Sequence, residues 1–416
     1  MNDKDKKIST FRLAGLCAGP VLGSGIIFLP PMVNELAGDW SFFAWIVIVL
    51  IGIPFAYICS ELVIIFPSGA GLMGIVGKFL GKRAEVFTSI MLLMAIACGP
   101  VIVIKTAGNY VGLNFNIVYQ ITYLMMFAGY LILMFNIKFF SSIQFFSSSL
   151  IVILLIVTSI ASLNNTQFSF PDSAPDVFVL GRALLLLFWG LVGWEIIGNY
   201  SHEVRDPHKT IPRAVLLAVA INSFIMLIVA YNIQYGKNSM TDLPIVYLFE
   251  QVFGRYSPFI ASVLVFLLCF STFVMISGAG ARLIMTMGQN KYLPELLGKS
   301  NSSGTPVIAL IVVAAVQSTT LALNWFNIMT DVFMVKWANT FFICNILIIL
   351  VSGLKSVQNR VLKISIIFVM ICFAFFALFS SPIALIILLV LFTWWYRDAA
   401  VQLIKQKIVK NGISDK

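Results

Sequence analysis

Gly23, Ser24 and Gly25 stand inside an apolar run of membrane length, GLCAGPVLGSGIIFLPP from Gly15 to Pro31. Each glycine costs a helix interior roughly 1 kcal/mol against alanine. With Pro20 before them and Pro30 and Pro31 after, the sequence predicts a helix that unwinds where lipid forbids unpaired amides. Such a break survives only beside a cavity. It leaves free carbonyls on one side and free N–H groups on the other, a pairing that suits a zwitterion. The N–H groups of Ser24, Gly25 and Ile26 would open the second half-helix, where partial positive charge favours a carboxylate. The competing reading is that these glycines only let helices pack closely.

A second run, LLLLFWGLVGWEIIGNYSHE, repeats the peculiarity with Gly190 and Gly193, followed at once by Glu195. Ionisable groups near mid-membrane are rare and face a cavity or a partner. Glu195 therefore reads as a gating or proton-coupling carboxylate, against the alternative of a structural hydrogen-bonding residue. Lys105 and Lys336 are equally out of place in apolar runs. Either would pair with Glu195 or substitute for a coupling ion, or else snorkel or sit in a structural ion pair. The hydroxyls of Ser271, Thr272 and Ser277 would complete a sodium site with first-helix carbonyls, unless they bond their own helix. Of the two coupling ions, the proton is favoured over sodium. Glu61 reads as a gate latch that pairs with basic loop residues, a task that His202, Glu203, Arg205 and Asp206 would share.

Catalysis finds no support. The two histidines, His202 and His208, share one loop, and no zinc spacing, nucleophile motif or phosphate loop accompanies them. A lone Gly-Ser-Gly is no phosphate cradle. All six cysteines fall inside apolar runs, so neither a disulfide framework nor a metal site is expected.

These residues must be positioned by membrane helices. Hydrophobic residues make up 60% of the 416 and charged residues 11%, with mean hydropathy +0.98, a balance that excludes a soluble globular domain. Apolar runs predict about twelve spans: 12–36, 42–66, 85–111, 117–137, 143–163, 182–202, 212–236, 258–289, 306–324, 331–352, 360–379 and 382–398. With the N-terminus inside, cytoplasmic segments hold 22 of the 27 Lys and Arg, so the positive-inside rule places both termini in the cytoplasm. The net charge of +10 thus reports topology, and no nucleic-acid partner is expected. Residues 67–84 read as an interfacial helix and residues 237–257 as an amphipathic one, each a candidate gate or an ordinary connector. If spans one to five and six to ten are inverted repeats, the two interrupted helices occupy corresponding positions, a pointer to a binding site.

Four motifs in order resemble the amino acid-polyamine-organocation transporters. They are GSGIIFLPPMVNELAG, FPSGAGLMGIVGKFLG, FWGLVGWEIIGNYSHEVRDPHKTIPRA and ARLIMTMGQNKYLPELL, which together run from Gly23 to Leu297. FWGLVGWE and the short tails are most similar to bacterial exporters of methionine and branched-chain amino acids. The resemblance implies an all-α, five-plus-five inverted-repeat fold with discontinuous helices 1 and 6. Its organisation would be a tail 1–11, a first repeat 12–163, a loop 164–181, a second repeat 182–352, peripheral spans 353–398 and a tail 399–416. It further implies that the carbonyls of Val21, Trp189 and Val192 accept a substrate ammonium, and that Trp189 is an aromatic gate. Trp194, Phe188, Phe270, Phe273 and Trp337 would line a side-chain pocket, or else pack in the core or face lipid. Relatives that replace sodium with an amine carry the lysine in the fifth helix, which this chain lacks, so the coupling ion stays open.

The reading that follows is a secondary transporter of neutral, hydrophobic L-amino acids such as methionine, leucine, isoleucine and valine. It would work by export or exchange in a bacterial cytoplasmic membrane, without a cofactor, as a monomer or homodimer in the lipid bilayer. Two alternatives stay open: a proton- or sodium-coupled importer of other amino acids or amines, and a membrane amino-acid sensor or channel.

Overall fold

The computed structural model describes residues 9–66, 72–112, 117–135, 138–194, 204, 206–236, 243–302 and 304–393. Among them the chain is all-α, and its backbone pairs outside helices in an isolated bridge between Thr166 and Gly236. Among the described residues, seven helical stretches are long and apolar enough to cross a membrane: Gly25–Ile65, Lys82–Gly112, Pro207–Tyr235, Pro244–Gln289, Val307–Trp325, Asp331–Ser356 and Arg360–Ala377. Shorter apolar helices accompany them, so the chain is a multi-pass, all-α membrane protein.

The first expected span is two helices. α1 (Thr10–Leu22) stops short of the glycine pair, and α2 (Gly25–Ala37) resumes after it. A turn opened by Gly38, at φ +51, leads into α3 (Ser41–Ile65). The short α4 (Met73–Leu80) falls within the segment expected to lie at the interface, and Gly81 at φ +86 turns the chain into α5 (Lys82–Gly112). α6 (Val118–Phe135) and α7 (Lys138–Ser162) follow.

The sixth span begins as α8 (Val177–Leu187), whose first amides are capped by the Asp176 carboxylate, which accepts from Phe178 N at 2.8 Å and Val179 N at 3.3 Å. It lasts eleven residues. α9 (Pro207–Tyr235) comes next, then α10 (Pro244–Phe253) inside the second segment expected not to span. α10 buries one face through Ile245, Leu248 and Phe249. The remaining helices are α11 (Ser257–Gln289), α12 (Val307–Trp325), α13 (Asp331–Ser356), α14 (Arg360–Ala377) and α15 (Pro382–Thr393).

α5 is the axis of the packing, with α11 and α13 lying along it, while α1 and α3 pack against α9. α5 carries Pro100, which has no N–H and so leaves the Ile96 carbonyl without its usual intrahelical donor. Gln317 of α12 supplies the missing bond, with Nε2 3.0 Å from Ile96 O. Its Oε1 accepts from Tyr130 Oη at 2.6 Å and Ser277 Oγ at 3.1 Å. One buried amide therefore ties α5, α6, α11 and α12 together at the level of the proline.

Candidate functional site

The first break is abrupt. Gly23 takes φ +36, a conformation that favours glycine, and Ser24 stands before α2 with φ −72. Ser24 makes no side-chain cap, so the start of α2 is left to its backbone. Ile27 N bonds back to Ser24 O at 3.0 Å, whereas a helix start gives the N–H groups of Ser24, Gly25 and Ile26 no intrahelical acceptor. All three residues are buried. Val21 lies in the last turn of α1, where carbonyls lose their partners for the same reason. Asn222 of α9 reaches across to this end, with Nδ2 3.5 Å from Ala18 O.

The second break is gradual. α8 tightens into a 3₁₀ turn over Phe188–Leu191, Val192 is extended at ψ 131, and Gly193 takes φ +121. The 3₁₀ turn shifts bonding from i−4 to i−3 carbonyls, which frees the Leu185 carbonyl from its α-helical partner. An unpaired buried carbonyl would cost about 1–3 kcal/mol. Asn339 of α13 removes that cost, donating Nδ2 to Leu185 O at 2.7 Å and to Leu186 O at 3.0 Å. Trp189 O already accepts Val192 N at 3.2 Å, which leaves that carbonyl capacity for one further donor.

Trp189 joins the two breaks. A Cβ on Gly25 would stand 2.8 Å from the indole Cδ1, and one on Gly99 of α5 would stand 3.2 Å from Cη2. The ring therefore lies between α2 and α5 in a space that glycine alone leaves. Phe28 meets it edge-on at 5.6 Å and Phe342 of α13 at 6.3 Å. Trp189 and Val192 stay partly exposed, unlike Phe188 and Leu191 beside them. These ring neighbours carry no charge. The surroundings of the indole are apolar and aromatic, with the backbone of both breaks at its edge.

Other residues singled out from the sequence lie elsewhere. Glu195 falls outside the described residues, as do His202, Glu203 and Arg205. Lys105 is buried and donates to both oxygens of Asp331, at 2.6 and 2.9 Å. Asn324 Nδ2 reaches Asp331 Oδ1 at 2.9 Å, and Tyr119 lies 5.3 Å beneath the ammonium. Lys105 is thus held in an ion pair at the start of α13, away from Trp189. Glu61 is half-buried on α3 and has no ion-pair partner among the described residues. The Ser271 hydroxyl bonds its own helix at Leu267 O, 2.7 Å, and Leu268 O, 3.1 Å, while Thr272 is buried nearby.

Among the aromatic candidates, Phe188 packs on Phe373, Phe273 on Tyr130 and Phe270 on Phe266. Trp337 donates to Met94 O at 2.9 Å, and Trp194 is buried. The ring neighbours of Trp189 that sequence reasoning missed are Phe28, Gly99 and Phe342. Asn339, Gln317 and Asp331 were missed too. A signal existed for one of them, because Pro100 announces a carbonyl that needs a donor.

Comparison with known proteins places these features in a family. A family model described as amino acid permease matches residues 8–401. An L-methionine/branched-chain amino acid exporter of Escherichia coli strain K12 is 26% identical, over 96% of each chain. A cadaverine/lysine antiporter of the same strain is 21% identical over 76% of this chain and 74% of its own. A putrescine transporter of Haemophilus influenzae is 21% identical over 76% of this chain and 77% of its own.

Proposed function

The chain belongs to the amino acid permease family, and from that premise we propose that it is a secondary transporter of neutral, hydrophobic L-amino acids. Methionine, leucine, isoleucine and valine are the substrates, moved by export or exchange across a bacterial inner membrane. The observation that carries this reading is the meeting of the α1–α2 break and the unwound end of α8 at one partly exposed indole, Trp189, walled by Gly25, Gly99, Phe28 and Phe342.

The substrate carboxylate would sit on the N–H groups of Ser24, Gly25 and Ile26, at the positive end of α2. The ammonium would be taken by the carbonyls of Val21, Trp189 and Val192. Backbone groups recognise what all amino acids share, so selection falls to the walls. An uncharged wall disfavours a side-chain charge, whose desolvation would go uncompensated. The twelve crossings, the five-plus-five repeat with both termini cytoplasmic, and alternating access complete the reading. A proton is the coupling ion, taken up and released at Glu195.

Counterflow in proteoliposomes tests the proposal. Vesicles loaded with unlabelled leucine or methionine should accumulate the labelled amino acid transiently, whereas labelled lysine and putrescine should give little signal. No accumulation across the proteinogenic amino acids would overturn the transport reading. Strong lysine or putrescine exchange would overturn the substrate class alone.

A further inference from the structure

Asn339 lies on α13 with no solvent exposure, and both hydrogen bonds from its amide go to carbonyls of α8. Those carbonyls, Leu185 and Leu186, belong to the last three residues of α8, before the 3₁₀ turn whose second residue is Trp189. The bond to Leu185 O replaces the one that the turn removes, so Asn339 favours the unwound form of α8 over the continuous helix. The Asn339 Oδ1 atom is buried and finds no partner among the described residues. A residue kept only to fill space would be apolar and would leave no such orphan. The same face of α13 walls the indole: Phe342 stands edge-on to Trp189, and Ala338 lies beside Gly99 where the ring's far edge rests.

We infer that Asn339 is a positioning residue that fixes the seat of Trp189 and thereby sets which substrate side chains fit beneath it. The inference rests on the reading of Trp189 as the cover over the substrate. The indole has little freedom of its own between Gly25 and Gly99, so its placement follows the backbone turn that carries it. That turn is held from α13. Asn339 is a specificity determinant that touches no substrate.

Asn339→Ala and Asn339→Asp test this with two readouts. The first needs no substrate: hydrogen–deuterium exchange of the segment 184–194 in lipid nanodiscs. Loss of the two neutral hydrogen bonds predicts an exchange rate in Asn339→Ala that differs from that of wild type by at least about five- to tenfold, with α11 peptides unchanged. The second is counterflow, in which the preference for leucine over alanine should fall by a similar factor. In Asn339→Asp the neutral carboxyl donates to Leu185 O and the carboxylate cannot. Its leucine activity relative to wild type should therefore rise as pH falls.

Wild-type exchange in Asn339→Ala, or a flat Asn339→Asp to wild-type ratio across pH with unchanged leucine preference, would overturn the inference. Should Asn339→Ala fail to insert, the isosteric Asn339→Asp decides by its own exchange and pH ratio. Should wild type itself move no amino acid, the substrate reading fails, while the exchange measurement still decides whether Asn339 holds the turn.

Discussion

The break between α1 and α2 and the unwound end of α8 depart from the helix in opposite ways. Between α1 and α2 the chain breaks within two residues, at Gly23 and Ser24, and the new helix opens on bare backbone with no side-chain cap. At the end of α8 the chain leaves the helix gradually, through a 3₁₀ turn and an extended Val192, and the turn carries a large side chain, Trp189. Outside help differs as well. Asn222 reaches the first break at 3.5 Å, the long limit for a hydrogen bond, whereas Asn339 grips the second with two bonds of 2.7 and 3.0 Å. A break that offers only backbone can recognise a shared head group but cannot choose among side chains. A break that presents an indole held from a neighbouring helix can choose, and its choice can be altered from that neighbour.

The most damaging way to break the comparison is Gly25→Val, which puts side-chain atoms where the indole already lies. Leucine counterflow should fall at least about 100-fold, the effect of roughly an ångström of misplacement at a site. The double variant Gly25→Val with Trp189→Ala tells the halves apart. Recovered binding would mean that valine acted by displacing the ring, and continued loss would mean that it blocked the α2 donors.

Next comes Lys105→Ala, which strands the Asp331 carboxylate in a largely buried pair. A loss of about 2 kcal/mol in stability is expected, seen as a lower melting temperature, because charged hydrogen bonds contribute about that much. Lys105→Met with Asp331→Leu should lose less. Leucine-to-alanine preference should hold in both, since the pair lies away from the two breaks; a changed preference would extend the site to the start of α13.

Asn222→Ala should lower leucine counterflow only about two- to threefold, less than Asn339→Ala, in keeping with its single long bond. An equal or larger effect would remove the asymmetry. The smallest effect belongs to Ser271→Ala, whose hydroxyl bonds its own helix. Transport should stay within about twofold of wild type at any sodium concentration, and a sodium-dependent loss would restore a sodium site on α11.

Local signals were legible in the sequence, and distant partnerships were not. The membrane class follows from apolar runs, and the break at Gly23 and Ser24 from glycine and proline chemistry within a single turn. Trp189 was marked by its place beside Gly190 and Gly193. Nothing local marks Asn339, whose partner Leu185 is 154 residues away, or Asp331, which meets Lys105 across 226 residues. A lone asparagine in an apolar run reads the same whether it caps a neighbouring helix or its own. Lys105 illustrates the cost of that blindness: hydrophobicity flags it, and only the fold supplies its partner. Gly99 is invisible for another reason, because a missing side chain matters only when a second helix lays something in the gap.

Gly25 has an evolutionary consequence. Any mutation there adds a Cβ, and the first added atom already meets the indole, so no series of small steps leads from this residue to a different one. The contact between Gly25 and the indole is thereby closed to gradual change. On the proposed reading, a change of substrate on this scaffold falls to the helices that seat and wall Trp189 and not to the backbone at Gly25.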